Sequence, residues 1–299
     1  MKDVVAADGD CFGLLCRAGA DCYSQGAMID LGLASAITDL IHDDLARAGR
    51  TPLVIGLCGA QGSGKSTLAA YLAAGLAAEG LRIATLSLDD LYKTRADRCL
   101  LARHVHPLLA TRGVPGTHDI PLGCEVIATL ERGDAAPLPR FDKAADDRVP
   151  PPQWPLAPPA TQVLLLEGWC VGARPQPDVS MPVNALEAAE DRDAVWRKYV
   201  NTALSGDYQA LFARLDRLVL LAAPGWEIVA RWREQQEAAL RSKGGPAVMS
   251  PAGVARFIQH YERLTRWILA EMPLRADLTA RLGSGREVLA LERRGGSVG

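Results

Sequence analysis

The residues with the clearest chemical meaning lie between Leu53 and Thr67, in the stretch LVIGLCGAQGSGKST. An apolar run leads into the pattern G-x-x-x-x-G-K-S, and the helical segment LAAYLAAGLAA follows it. Between a strand and a helix, this pattern is typical of a phosphate-binding loop, in which backbone N–H groups and a helix N-terminus surround phosphate oxygens. We therefore predict that the chain binds a nucleoside triphosphate, and we reject the alternative of a flexible Gly-Ser turn.

The same spacing assigns roles within the loop. Lys65 is expected to reach the β- and γ-phosphates, and the Ser66 hydroxyl is expected to ligate Mg²⁺. The predicted nucleotide-binding residues are Gly59, Gly62, Ser63, Gly64, Lys65, Ser66 and Thr67.

Acidic residues follow two further predicted strands. Residues 81–88 read as a buried strand that runs into Asp89 and Asp90, and residues 161–167 read as another that ends in Glu167. A strand-helix-strand unit is right-handed and parallel, so ligands lie beyond the carboxyl ends of its strands. A carboxylate there could accept the proton of an acceptor hydroxyl or help to hold Mg²⁺. We predict that Asp89 is the catalytic base and a metal ligand, and that Glu167 is a catalytic residue that holds Mg²⁺ or its waters. Asp89 and Asp90 could also be simple turn residues.

The segment from 94 to 159 is irregular and rich in Pro, Arg, His and Asp. Two polar pieces stand out, RGVPGTHD (112–119) and PLPRFDK (137–143), with a short helix predicted over 120–132 between them. Long segments of this kind inside a domain are usually functional loops or disorder, and these polar residues favour a substrate pocket. Residues 150–159, PPPQWPLAPP, are instead typical of an extended spacer.

A substrate that carries its own carboxylate needs a fork-shaped cation, which Arg112 or Arg140 could supply. His118, Asp119 and Asp142 could bind substrate hydroxyls. The predicted substrate-binding residues are Asp90, Tyr92, Arg112, His118, Asp119, Arg140, Asp142 and Arg148.

A helix is predicted over 224–243, and it carries Arg231, Arg233 and Arg241, with Lys243 at its end. Basic residues on a helix often form a solvated face, but a mobile helix can also close over a transferring phosphoryl group and neutralise it. We take Arg233 as the candidate catalytic arginine of such a lid.

The remaining elements frame this site. Residues before 51 are predicted to form a leader and one helix, whose apolar stripe (Leu33, Ile37, Leu40, Ile41, Leu45) packs on the core. Further predicted elements are a charged helix over 184–204, a strand over 215–222, a helix capped by Ser250, and terminal strands over 276–282 and 287–291.

The predicted fold is an α/β phosphate-loop NTPase sandwich of three layers, with a mainly parallel sheet, a lid helix and inserted substrate-binding loops. We expect a helical extension over 1–50 and a kinase domain over 51–299, with its insertion at about 94–159 and its lid at about 224–249.

The amino-acid composition limits the classes of function that the chain can have. The 33 basic and 35 acidic residues nearly balance, so the chain has no electrostatic footprint for nucleic acid or an anionic membrane. Seven cysteines without a C-x-x-C pair predict reduced thiols in a cytoplasmic protein, and no signal peptide or spanning segment is expected. The spacings of Cys11, Cys16 and Cys22, and of Cys99 with His104 and His106, do not favour zinc.

The ordered motifs GAQGSGKST, SLDDLY, RGVPGTHD, PRFDKAADDR, LLLEGW and ARWREQQE resemble the D-glycerate 3-kinase family. These enzymes are phosphate-loop kinases related to phosphoribulokinase, uridine kinase and pantothenate kinase. The resemblance runs from about residue 51 to the C-terminus, and RGVPGTHD and PRFDKAADDR are its specific parts. It implies ATP- and Mg²⁺-dependent phosphorylation of D-glycerate to 3-phosphoglycerate.

Carried over by position, the resemblance makes Asp89 the base and Glu167 the acid after the LLLEG strand. It places the substrate-side motif on Phe141 and Asp142 and the arginine that follows on Arg148. One departure is Leu91, where the wider group has an aromatic residue.

Two other functions stay open from the sequence. The first is a kinase for a different small alcohol, such as a nucleoside, pantothenate or another sugar acid, because a few pocket contacts decide the acceptor. The second is a nucleotide-binding regulatory or chaperone-like NTPase with no acceptor, although a simple switch would not need the polar segment from 112 to 148.

Overall fold

The structure is a computed structural model that describes residues 29–47, 49–242 and 249–295. Its helices are α1 (Leu31–Arg47), α2 (Lys65–Ala78), α3 (Arg95–His104), α4 (Ile120–Glu131), α5 (Ala185–Glu190), α6 (Val195–Ser205), α7 (Asp207–Phe212), α8 (Trp226–Ser242) and α9 (Pro251–Glu271). Its strands are β1 (Leu53–Gly59), β2 (Ile83–Ser87), β3 (Ala136–Pro137), β4 (Phe141–Asp142), β5 (Asp147–Arg148), β6 (Leu156–Ala157), β7 (Val163–Gly168), β8 (Arg217–Ala222), β9 (Leu278–Leu282) and β10 (Val288–Arg293).

Six of these strands form the central sheet, in the order β10-β9-β8-β1-β7-β2. All neighbouring pairs are parallel except β9 and β10, which are antiparallel. β1 and β7 are buried along their whole length, which explains why their sequences are continuous apolar runs rather than alternating patterns. Helices flank the sheet, so the predicted α/β fold with a mainly parallel sheet is confirmed.

The carboxyl ends of three neighbouring strands meet where the candidate site was expected. Glu167 in β7 lies opposite Leu57 of β1 on one side and opposite Ser87 of β2 on the other. The phosphate loop follows β1, and a 3₁₀ turn at Leu88–Leu91 follows β2. The register therefore brings the loop and the acids that follow β2 to one edge of the sheet.

Helix α1 packs one face into the core of the sheet, as its apolar stripe predicts. Leu33, Ile37 and Ile41 are buried, and Leu40 and Leu45 pack against the same core. The remaining positions of this helix are mostly polar, so its burial is one-sided.

Three elements differ from the prediction. Helix α3 lies in a segment that was predicted to be irregular, because its charged sequence has no clear apolar stripe. The helix begins at a cap, where Thr94 Oγ1 accepts a hydrogen bond from Asp97 N. The helix predicted over 184–204 is divided into α5 and α6. Residues 150–159 are not simply an extended spacer, since β6 pairs with β3 and Ala157 is buried.

The last long helix and the terminal strands follow the predicted pattern. Ser250 caps α9 by accepting a hydrogen bond from Gly253 N at 3.1 Å, and β9 and β10 form the expected pair. β9 also extends the main sheet beside β8. Although α9 is 21 residues long, no helix in the described ranges is long and apolar enough to cross a membrane.

Candidate active site

The phosphate loop has the backbone shape that its glycines predict. Gly62 and Gly64 have φ values of +81° and +90°, in the left-handed region that glycine adopts without strain. Gly64 is the N-cap of α2, which begins at Lys65. The first N–H groups of α2 and the positive end of its dipole are therefore available to an anion at the loop.

Glu167 lies next to the two side chains that the motif reserves for phosphate and metal. Its Oε1 accepts a hydrogen bond from Ser66 Oγ at 3.0 Å, and its Oε2 is 3.9 Å from Lys65 Nζ. The Glu167 side chain is 8% exposed, and Oε2 has no hydrogen-bond partner among the described residues. A hydroxyl and an under-coordinated carboxylate form an oxygen donor set of the kind that Mg²⁺ prefers.

A dedicated protein cage for a metal is not part of this arrangement. Within the described ranges, no group of three or more His, Cys, Asp or Glu side chains could hold a metal ion. This agrees with the usual coordination of Mg²⁺ at nucleotide sites, where water and phosphate oxygens complete the shell. Cys11, Cys16 and Cys22 lie outside the described residues.

Asp89 is held by two side chains at the end of β2. Its Oδ1 accepts a hydrogen bond from Tyr92 Oη at 2.8 Å, and its Oδ2 is 2.6 Å from Lys143 Nζ. Burial alone would raise the pKa of Asp89, but the charges of Lys143 and Lys65 outweigh it and lower the pKa to about 2. Asp89 is therefore a carboxylate close to the lysine of the phosphate loop.

Asp90 has a different environment from its neighbour. Its Oδ1 accepts a hydrogen bond from Phe141 N at 3.1 Å, and its Oδ2 is 3.2 Å from Arg140 Nη1. These contacts fasten the β4–β5 hairpin to the 3₁₀ turn. Burial raises the pKa of Asp90 despite the opposing contacts with Phe141 N and Arg140.

Three aromatic rings form a wall beside Asp89. Tyr92 stacks on His118 with 4.6 Å between ring centroids, and it meets Phe141 edge-on at 5.2 Å. His118 Nδ1 lies within hydrogen-bond distance of Tyr208 Oη. Burial lowers the pKa of His118 to about 3, so this imidazole is neutral at physiological pH. It can accept or donate a hydrogen bond, but it supplies no charge.

The other predicted substrate residues hold the loops together. Arg112 pairs with Asp146, and Arg148 donates to Tyr92 O at 2.9 Å and to Asp119 Oδ2 at 3.1 Å. Asp119 also caps α4, where it accepts a hydrogen bond from Leu122 N. Asp142 is exposed, and its Oδ1 accepts hydrogen bonds from Ala144 N and Ala145 N in the hairpin turn.

The structure adds residues that the sequence reasoning did not single out. Lys143 was inside a quoted motif, but nothing in the sequence paired it with Asp89. Arg98 is almost fully buried on α3, where it donates to Ala110 O at 3.1 Å and to Asp146 O at 2.7 Å. Arg98 and Arg112 therefore share Asp146, and both guanidinium groups lie within 6 Å of the Phe141 ring centroid, at 5.7 and 5.4 Å.

The predicted lid helix is anchored at its beginning. Trp226, Val229 and Trp232 of α8 are buried, and Arg231 is exposed. Arg233 Nη2 is 2.8 Å from Glu237 Oε2, and its guanidinium lies over the Phe257 ring at 5.5 Å. The side chain of Arg241 and all of Lys243 lie outside the described part of the chain.

The comparisons with known proteins agree with this geometry. Residues 33–96 match the family model described as methylmalonyl Co-A mutase-associated GTPase MeaB. That match covers most of α1, then β1, the phosphate loop, α2, β2 and the 3₁₀ turn that follows β2.

Longer similarities are to kinases. Over 219 residues the chain is 36% identical to the uncharacterized kinase mug58 of Schizosaccharomyces pombe, covering 70% of this chain and 78% of that protein. It is 33% identical to the chloroplastic D-glycerate 3-kinase of Arabidopsis thaliana, covering 70% of this chain and 46% of that longer protein. The structure of D-glycerate 3-kinase from Cryptococcus neoformans superposes with a TM-score of 0.71 and 26% identity, over 87% of this chain and 99% of the other.

The fold and the loop define a phosphate-loop kinase. The chain belongs to the family of such kinases that includes D-glycerate 3-kinase, and it is an ATP-dependent kinase of a small molecule.

Proposed function

We propose that this kinase transfers the γ-phosphoryl group of ATP to the 3-hydroxyl of D-glycerate, with Mg²⁺ as cofactor. The observation that carries the proposal is the surroundings of Asp89, a carboxylate near Lys65 that is faced by the cationic hairpin residue Lys143. A base next to a cation suits an acceptor that has both a hydroxyl and an anionic group. The relatives named as D-glycerate 3-kinases support this choice of acceptor.

On the nucleotide side, the loop from Gly59 to Thr67 would bind the phosphates, with Lys65 on the β- and γ-phosphates. Ser66, Glu167 and Asp89 would hold the metal ion or its waters. Bound there, Mg²⁺ would neutralise negative charge on the phosphates. Oε2 of Glu167 accepts no hydrogen bond from the described residues, which supports this assignment because a buried carboxylate oxygen is costly to leave without a donor.

On the acceptor side, Asp89 would accept the proton of the 3-hydroxyl as its oxygen attacks the γ-phosphorus and ADP leaves. Tyr92 would orient that carboxylate through the hydrogen bond it already donates. His118, Asp119, Asp142 and Arg148 would shape the pocket, and Arg112 or Arg140 would face the substrate carboxylate.

Arg233 would serve as the lid arginine. The Nε of Arg233 is buried and has no hydrogen-bond partner among the described residues. A movement of α8 that exposed this donor would let it bind a phosphoryl oxygen. We also propose that residues 51–299 form the kinase domain, with 1–50 as its extension.

The test is an ADP-release assay with Mg·ATP across D-glycerate, L-glycerate, glycerol, uridine, pantothenate and ribulose 5-phosphate. We expect a clear preference for D-glycerate, and NMR of the product should place the phosphate on the 3-hydroxyl. Preference for uridine or pantothenate would refute the glycerate assignment and leave the kinase class intact. Slow ATP hydrolysis that no alcohol accelerates would favour a regulatory NTPase.

A further inference from the structure

Lys143 makes an unusual contact for an exposed residue. It lies in the turn of the β4–β5 hairpin, its side chain is 62% exposed, and its Nζ is 2.6 Å from Asp89 Oδ2. Asp89 itself is only 30% exposed. A surface lysine therefore reaches down to the carboxylate that is proposed to accept the proton of the substrate hydroxyl.

The arginines around the site are bound more firmly than Lys143. Arg140 Nη1 donates both to Asp90 and to its neighbouring carbonyl at Pro139. Arg148 donates to a backbone carbonyl and to a carboxylate, and Arg112 pairs with Asp146 while its guanidinium lies over Phe141. Each of these groups would lose several contacts by turning to a ligand.

Lys143 Nζ has one partner among the described residues, the carboxylate of Asp89. The exposed Lys143 ammonium is screened by water, and it is a point charge on a flexible stem that can turn to another anion. Changing its partner therefore costs little, provided that the new partner is also an anion.

The contact has a consequence for catalysis. Tyr92 donates to Oδ1 of Asp89, and the Lys143 ammonium lies against Oδ2, where it competes with any other donor for that oxygen. An acceptor hydroxyl must donate to one of these oxygens before its proton can be transferred. A neutral alcohol offers Lys143 no replacement, whereas an alcohol with a carboxylate offers a second anion.

The size of the proposed substrate fits such an exchange. In a three-carbon acid, one carbon separates the carboxylate carbon from the carbon that bears the 3-hydroxyl. The two groups must therefore contact protein side chains that are themselves neighbours, as Asp89 and Lys143 are.

We propose that Lys143 is a specificity-determining residue that leaves Asp89 for the carboxylate of the acceptor, so that an anionic acceptor frees Oδ2 for its own hydroxyl. This inference rests on the proposed function. It assigns the discrimination against neutral alcohols to an exchange of ion-pair partners, in addition to any attraction by Arg112 or Arg140.

The test compares D-glycerate with glycerol in Lys143→Met, which keeps the length of the side chain and removes its charge. For D-glycerate, kcat/KM should fall about tenfold or more, mainly through KM, because a carboxylate contact of about 1.4 kcal/mol is lost. For glycerol, kcat/KM should rise several-fold, because no ammonium group then competes with the hydroxyl for Asp89 Oδ2. The KM for ATP should not change.

Two further variants complete the design. Lys143→Arg keeps the charge and should recover part of the preference for D-glycerate. Lys198→Ala removes an exposed lysine of α6, outside the proposed site, and should leave both substrates unchanged.

The opposite changes for the two substrates distinguish an effect on specificity from structural damage, which would lower kcat/KM for D-glycerate and for glycerol together. If Lys143→Met lowers both equally, or changes neither, the inference is wrong although the proposed function can stand. If the wild-type enzyme prefers a neutral alcohol, both the inference and the glycerate assignment are overturned.

Discussion

Trp232 packs so closely against Gly62 that a Cβ atom placed on this glycine would lie 2.7 Å from the Cβ of the tryptophan. The same loop residue is held from another side, since Arg286 Nε donates to Gly62 O at 2.6 Å. The Arg286 guanidinium lies 5.0 Å from the centroid of the Trp232 ring. The beginning of α8 and the β9–β10 turn therefore support the phosphate loop. Any closing movement of α8 must involve the part of the helix after Trp232, which starts with the proposed lid residue Arg233.

This contact makes Gly62→Ala a sharp test of the phosphate loop. A side chain at φ +81° is strained by roughly 1 kcal/mol, and the clash with Trp232 must also displace the loop. We expect affinity for a non-hydrolysable ATP analogue, measured by calorimetry, to fall about tenfold or more.

Gly133→Ala is the matched control for backbone strain. Gly133 also has φ +81°, but no atom lies within 4 Å of an added Cβ. Both variants should lose similar stability from strain, and only Gly62→Ala should also lose nucleotide affinity. Equal affinities in the two variants would show that the loop tolerates displacement.

Lys65→Ala should lower kcat by on the order of a thousandfold or more, the range associated with losing a cation at a transferring phosphoryl group. Lys65 is partly exposed at the loop, and its one ion pair in the described part of the chain is with Glu167, so the melting temperature should change little. Circular dichroism and steady-state kinetics would check both points. Near-wild-type turnover in a folded variant would contradict the assignment of the loop.

The two consecutive acids should respond differently to the same change. Asp89→Asn should lower kcat by about a hundredfold or more with little effect on the KM for ATP, as expected when a general base is lost. Asp90→Asn should lower kcat less, because Asp90 binds Phe141 N and Arg140 and so positions the hairpin.

Steady-state kinetics with varied D-glycerate and varied ATP would separate these effects. Asp90→Asn should act mainly on the KM for the acceptor. Mild and equal losses at both positions would mean that the pair are turn residues after all.

The sequence predicted the parts of the fold that local patterns determine. β1 and β7 are continuous apolar runs, and the loop has its full motif, so these strands and the position of Lys65 follow from short stretches of chain. β2 was predicted as a buried strand, but its positions alternate between half-buried and buried. Contacts between distant segments leave no such pattern. Nothing local pairs Lys143 with Asp89, which are 54 positions apart, or directs Arg112 to Asp146.

The same reason explains the missed buried arginine. A charged residue on a short polar helix reads as solvated, yet Arg98 is buried because backbone carbonyls and Asp146 satisfy its donors. Its environment is formed by loops that come together only in the folded chain.

The stability of the protein should depend on pH through His118. Burial is the main cause that lowers the pKa of His118 from 6.5 to about 3; the charge of Asp89 opposes this shift and that of Lys93 reinforces it. The uncharged groups against the ring are Tyr92, which stacks on it, and Tyr208, whose hydroxyl lies at Nδ1. Between these pKa values the unfolded chain binds a proton that the folded protein does not.

Unfolding therefore becomes more favourable as the pH falls below about 6.5, with a slope of up to about 1.4 kcal/mol per pH unit from this group. His118→Gln removes the proton-binding site from both states. Lowering the pH from 8 to 5 should therefore destabilise the wild type by about 1–2 kcal/mol more than the variant. The unfolding free energies at each pH would be measured by urea denaturation. His104→Gln, at an exposed histidine of α3, controls for the general loss of a histidine. A constant difference between the wild type and His118→Gln across this range would mean that the buried imidazole takes up a proton in the folded state.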